Sequence, residues 1–252
     1  MRTHGRQVTL AVASALLFSP VFAETRPLYQ IPVEGPLPAE EQIRNGLKIE
    51  LYAHDSATLG ERLQIERASI HPGRVDYLLR GYRPLKVAAS RTWRESTFVV
   101  DVDERDTRDM FEELIKEKGA NPTREQLIEF VAAKVEGSIG RGWDSASVVA
   151  RNRTGDCTEY AVLLTALARA AGRPARVVTG VVIVAANGAP TGAGHAWSEV
   201  EEDGTWKVAD AALLGVDVIG YIPLGVLTNE STGFTLELAR HLQAWVQRAR
   251  LK

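Results

Sequence analysis

The single cysteine of this 252-residue chain, Cys157, stands in "RNRTGDCTEYAVLLTALARAAGRPARVV" (151–178), directly before a helical apolar pattern. One thiol cannot close an internal disulfide, so Cys157 is a buried filler, an intermolecular link or a reactive group. Asp156 followed by Glu159 has the form of an N-terminal cap, which sets Cys157 in the first helical turn. Free backbone N–H groups and the positive end of the helix dipole favour a thiolate there. The two neighbouring carboxylates oppose it, so a histidine partner is needed.

Five histidines are available. His4 belongs to the extreme N-terminus, His54 and His71 to a β-rich stretch, and His241 to the polar side of a C-terminal helical pattern. His195 differs. It follows the flexible "GAPTGAG" and opens the strand "HAWSEV", which turns back at Asp203-Gly204 into "TWKVAD". If Val200 faces Thr205, His195 faces Asp210 with Cβ atoms about 5 Å apart. If Asp203-Gly204 is instead a two-residue turn, the pair becomes diagonal at about 7–8 Å, still on one face of the sheet. A carboxylate in that place fixes the imidazole tautomer and stabilises its charged form. Cysteine, base and orienting acid make a thiol acyl-transfer set: Cys157 attacks a carbonyl, His195 manages the proton, and Asp210 holds the ring. The Cys157 backbone N–H and the Trp143 indole N–H are candidate oxyanion donors.

The elements that must position these groups follow from periodicity. Helices are predicted over Thr107–Gly119, from Thr123 (with Gln126 in capping-box form) through Val135, and over Cys157–Ala171, where Gly172 and Pro174 mark the stop. "ARVVTGVVIVA" reads as a central strand. The stretch from Leu47 to Val102 reads as short strands punctuated by glycine and proline, with "YLLRGY" equally able to begin a helix. "FTLELARHLQAWVQRA" is predicted to be a terminal helix. Helices followed by paired strands give an α+β fold.

The first residues set a compartment. "MRTHGRQ" is basic, "VTLAVASALLF" is apolar, and small residues lead to Ala23. This is the pattern of a secretory signal peptide over residues 1–23, with an uncleaved anchor as the alternative. The expected divisions are then a β-rich region at 24–105, a catalytic core at 106–230 and a C-terminal helix at 231–252. With that segment removed no membrane span is expected, and the location is periplasmic or secreted. A formal net charge of −2 without a basic segment argues against nucleic acid as a partner. No metal-ligand cluster and no glycine-rich phosphate loop is present in the sequence, so no cofactor is expected; the acidic run "DVDERD" reads as a solvated segment.

Three blocks taken together, "GDCTEYAVLLTALARAAGRPARVV", "HAWSEV" and "WKVADAA", resemble those of the transglutaminase-like superfamily. The resemblance spans Trp143 to Asp210. It implies a papain-like core with the nucleophile at Cys157, the base at His195 and the orienting acid at Asp210, although the separation of Cys157 and His195 is too short for papain proper. After the acid the family usually shows Pro or Ala and then Thr; here Ala211 and Ala212 follow, so a hydroxyl beside Asp210 is missing. Arg176 matches a family position and is read as holding the helix-to-strand turn. Trp197 and Trp206 are read as core aromatics, and Thr158 and Tyr160 as packing or capping residues. Animal members use calcium, yet nothing in this sequence places a calcium site. The resemblance implies an exported thiol enzyme acting on amide or peptide bonds of a peptide or protein, cell-wall peptide included. Hydrolysis is favoured over amine cross-linking. The alternatives are a non-catalytic envelope module that binds peptide or cell-wall material, and a covalent dimer through Cys157.

Overall fold

The computed structural model describes residues 30–138, 144–232 and 246–252. The signal segment at 1–23, His4, Trp143, His241 and most of the C-terminal helix expected at 231–252 therefore lie outside the described residues. Elements follow in the order β1 (Gln30–Ile31), β2 (Val33–Glu34), α1 (Glu40–Asn45), β3 (Leu47–Tyr52), α2 (Ser56–Arg62), β4 (Ile70–His71) and β5 (Arg74–Leu79). Then come α3 (Arg105–Lys118), α4 (Arg124–Lys134), β6 (Glu136–Gly137), α5 (Ala146–Asn152), β7 (Thr154–Gly155) and α6 (Cys157–Ala170). The chain continues through β8 (Ala175–Ala186), β9 (Ala189–Glu202), β10 (Thr205–Ala209), β11 (Val218–Val226) and β12 (Arg248–Leu251). The fold is α+β, as the pattern of elements predicts.

The helices start where their caps say. Asp156 accepts from the Thr158 N–H at 2.9 Å, while the Glu159 carboxylate reaches back to the Asp156 N–H at 2.9 Å, closing the capping box that begins α6. Thr123 and Gln126 close the same box at the head of α4. Every residue of α6 from Thr158 to Arg169 is buried, which makes it a helix covered on all sides rather than an amphipathic one. Its last turn is tied to the next strand by Arg169, which donates from Nε to the Ala175 carbonyl and forms a bidentate pair with the buried Glu230 at 2.7 Å.

The larger sheet runs β1-β9-β8-β11, with β10 also paired to β9. The β-branched strand β8 is buried at every position from Ala175 to Val184, because both its faces are covered. Val177 packs under α6 with Ala161, Val162 and Ala166. Val181 and Ile183 meet Ile49, Leu51, Val75 and Tyr77 of the second sheet. On the opposite face Val178 packs with Leu85, Trp93 and Trp197. Asp203 and Gly204 both have positive φ, +50° and +72°, so the β9–β10 hairpin closes with the two-residue turn that Asp-Gly favours.

The second sheet runs β2-β12-β3-β5-β4, and it corrects two expectations. The region preceding the core holds two short helices besides its strands, and "YLLRGY" belongs to strand β5 up to Leu79. The last residues are not helical: Arg248–Leu251 form β12, seated between β2 and β3. The physical reason is a period of two. Ala249 and Leu251 point into the core, while Arg248 and Arg250 point out and pair with Glu34. Asp101, the first residue of "DVDERD", is also not solvated. It is buried and accepts from the backbone N–H and hydroxyl of Ser147, capping the start of α5.

Candidate active site

The hairpin register decides how His195 and Asp210 meet. Glu202 pairs with Thr205 and Ser198 with Ala209, so Asp210, one residue beyond β10, falls opposite Trp197 and diagonal to His195. His195 Nε2 and Asp210 Oδ2 are 2.7 Å apart, and both side chains are buried. Asp210 is anchored from behind as well: its Oδ1 accepts from the Ala212 and Leu213 N–H groups, and its Oδ2 accepts from the Tyr221 hydroxyl.

Cys157 opens α6 and is half-buried. Its sulfur acts electrostatically on the His195 ring, whose Nε2 is taken by Asp210. Burial alone penalises an imidazolium. The Asp210 charge and hydrogen bond, with Cys157 adding in the same direction, outweigh it and push the His195 pKa up to about 10. At neutral pH the ring is therefore a cation.

The acid two residues from Cys157 is handled separately. Glu159 is buried and accepts from the Asp156 and Asp144 N–H groups. Burial first, and then the nearby Asp156, raises its pKa to about 7. Gly155 makes this packing feasible, because a Cβ there would sit 2.2 Å from the Cβ of Glu159. As the first residue of its helix, Cys157 has a backbone N–H with no intrahelical acceptor, so it remains available to an oxyanion. Trp143, the other donor candidate, lies outside the described residues.

The ring of His195 has two aromatic neighbours on its face of the sheet, Trp197 at 6.2 Å and nearly parallel, and Tyr221 at 6.5 Å. Trp197 is fully buried and donates from Nε1 to the Tyr82 hydroxyl at 3.1 Å; Tyr82 in turn donates to Glu199. Gly180, opposite His195, leaves room for this: a Cβ there would lie 2.2 Å from the Ile222 carbonyl oxygen and 2.9 Å from the Trp197 ring.

Arg176 does not hold the helix-to-strand turn, which is the work of Arg169. It pairs with Glu199 across the sheet and lies against the Trp93 and Trp206 rings at 4.9 and 4.2 Å. Tyr160 packs inside and donates to the Val135 carbonyl. His71 sits on the surface with Asp76, away from this centre.

Sequence reasoning missed Tyr82, Glu199 and Tyr221. For Glu199 a signal existed, because a lone acid in a buried strand calls for a cation, and Arg176 is its cross-strand neighbour. Tyr82 and Tyr221 carry no local pattern that would mark them. Among the described residues no group of three or more His, Cys, Asp or Glu side chains could hold a metal ion, and no helix is long and apolar enough to cross a membrane.

With this geometry in hand, comparison with known proteins is direct. Residues 114–211 match the profile of the transglutaminase-like superfamily. Over this span the chain is similar to the transglutaminase-like superfamily. The matched span runs from within α3 to just past Asp210, so it contains Cys157, His195 and Asp210.

Solved structures similar to the chain include a candidate cysteine protease from Cytophaga hutchinsonii, with 20% identity, TM-score 0.43, and coverage of 64% of this chain and 50% of that one. A protein described as a TGase shows 22% identity and TM-score 0.28 over 42% of this chain and 31% of its own. The periplasmic domain of TgpA from Pseudomonas aeruginosa, bound to ethylmercury, shows 22% identity and TM-score 0.33 over 43% and 45%. The chain thus spans half or less of the length of each. No curated protein matches it.

Proposed function

We propose that this protein is an exported thiol enzyme that transfers the acyl group of an amide or peptide bond through a thioester on Cys157, with water as the favoured acceptor. The observation that supports this reading is the buried His195 Nε2–Asp210 Oδ2 contact at 2.7 Å, with Cys157 acting electrostatically on the same ring. Three side chains from separate parts of the sequence converge there in the order a thiol acyl transfer requires.

In the first half-reaction the Cys157 sulfur adds to the carbonyl carbon, and the oxyanion that forms faces the head of α6. His195, protonated at rest, gives its proton to the leaving amine as the C–N bond breaks, which leaves a thioester and a neutral ring. In the second half-reaction the ring takes a proton from water, the oxygen adds to the thioester carbonyl, and the thiolate departs. Asp210 keeps the ring oriented and its charged form stabilised throughout. An amine acceptor would follow the same second step and give cross-linking. Water is favoured because it is always present, whereas an amine acceptor needs a site of its own.

Export is supported by the basic, apolar and small-residue order of residues 1–23. A peptide or protein substrate, cell-wall peptide included, is the partner consistent with a periplasmic or secreted enzyme of this chemistry. The non-catalytic alternative drew on Ala211-Ala212, but Asp210 has its full set of hydrogen-bond donors without that threonine.

Intact-mass spectrometry after incubation with activated esters and a panel of peptides and cell-wall fragments tests the proposal. An acyl adduct on Cys157, lost in Cys157→Ser and discharged by water, is the expected result. Ligand retention without any adduct would overturn it.

A further inference from the structure

Asp210 is followed by two alanines, so no hydroxyl in its own loop reaches the carboxylate. The two oxygens are nevertheless fixed by different means. Oδ1 accepts from the Ala212 and Leu213 N–H groups at 3.1 and 3.3 Å. Oδ2, the oxygen bonded to His195 Nε2, accepts also from the Tyr221 hydroxyl at 2.9 Å. The amides belong to the turn and anchor one end of the carboxylate, whereas Tyr221 comes from β11 and meets the end that faces the histidine.

The phenol is itself held. Its ring lies 5.1 Å from Trp197, and the Tyr82 ring meets it edge-on at 6.3 Å. Burial, together with the Asp210 charge, drives its pKa far above the ordinary tyrosine value, so it stays a donor at any working pH.

We propose that Tyr221 is a positioning residue. Its hydroxyl holds Asp210 Oδ2 in line with His195 Nε2, does from β11 what a threonine after the acid would do from the loop, and thereby sets the orientation of the ring that faces Cys157. This rests on reading Cys157, His195 and Asp210 as the catalytic triad. The amides cannot replace the phenol, because both end on the other oxygen.

The test uses the full chain carrying Tyr221→Phe, with three readouts: the downfield proton resonance of the His195 ring N–H, the single-turnover acylation of Cys157 by p-nitrophenyl acetate, and the melting temperature. The variant is expected to melt within a few degrees of the parent, to shift or broaden the resonance, and to acylate about tenfold more slowly. Adding Ala212→Thr is expected to recover most of both losses. An unchanged resonance and acylation rate in Tyr221→Phe would overturn the proposal. If Tyr221→Phe lowers the melting temperature by more than about 10 °C, the double variant decides. Recovery of the resonance without recovery of melting supports the positioning role, and recovery of melting alone overturns it. A parent chain that shows the resonance but is never acylated contradicts the triad reading, and Tyr221 is then judged by the resonance alone.

Discussion

Arg176 and Glu199 face each other across β8 and β9 as an ion pair with 1% and 0% of their side-chain surface exposed. Each charge needs the other and more. The guanidinium is spread over two tryptophan rings and donates to the Leu85 carbonyl, and the carboxylate takes the Tyr82 hydroxyl. Because Tyr82 also accepts from Trp197, and Trp197 stacks on His195, the pair joins residues 82–93 to the histidine of the candidate site.

Removing one partner of this pair should therefore cost far more than removing both. Glu199→Ala is expected to destabilise by about 3–5 kcal/mol, because it leaves Arg176 buried and unpaired, whereas Arg176→Met with Glu199→Leu should lose much less. Urea unfolding of the two variants measures the difference, and equal losses would contradict the account.

The ring of His195 is held charged, its pKa pushed up to about 10, so iodoacetamide should alkylate Cys157 faster in the parent chain than in His195→Gln at neutral pH. Equal rates in the two chains would contradict a charged His195 ring acting on the sulfur.

Two raised groups also shape stability. The folded pKa of Glu159 is about 7 against an ordinary 4.5, and that of His195 is about 10 against 6.5. In both, the folded state holds the proton more tightly. Each contribution is therefore full below the ordinary value and fades as pH rises through the folded value. Melting temperature should decline between pH 4.5 and 7 on account of Glu159, and between 6.5 and 10 on account of His195. Glu159→Gln should flatten the first decline and His195→Gln the second, as differential scanning calorimetry across pH would show.

Gly180→Ala brings a Cβ to 2.2 Å from a backbone oxygen that has no freedom to move aside. A loss of about 1–3 kcal/mol or more is expected. Tryptophan fluorescence should change with it, since Trp197 must shift from its place beside His195. An unaltered spectrum and stability would show that β11 yields more easily than its pairing suggests.

Much of this molecule is written locally. The capping box of Asp156 and Glu159 marks the head of α6, and with it the place of Cys157, because caps are satisfied within three residues of chain. The run from Arg176 to Ala185 announces a buried strand, and Asp203-Gly204 announces a hairpin turn. That turn narrows the partners of His195 to a few positions, and Asp210 is among them. What could not be read was anything whose partner lies far along the chain. The final "RARL" sits at the end of a helical pattern and becomes a strand only because β2 and β3 offer it two edges at once.

The sequence by itself determined the class of fold and singled out Cys157, His195 and Asp210 as candidate nucleophile, base and acid, since each is marked by residue type together with short-range periodicity, capping and turn chemistry. Tertiary structure alone decided that His195 and Asp210 meet diagonally, that Tyr221 completes the carboxylate's shell, and that Tyr82 ties residues outside the matched core to the site. Those are contacts between side chains on different strands. Their geometry depends on how the sheets twist and pack, which no local pattern encodes.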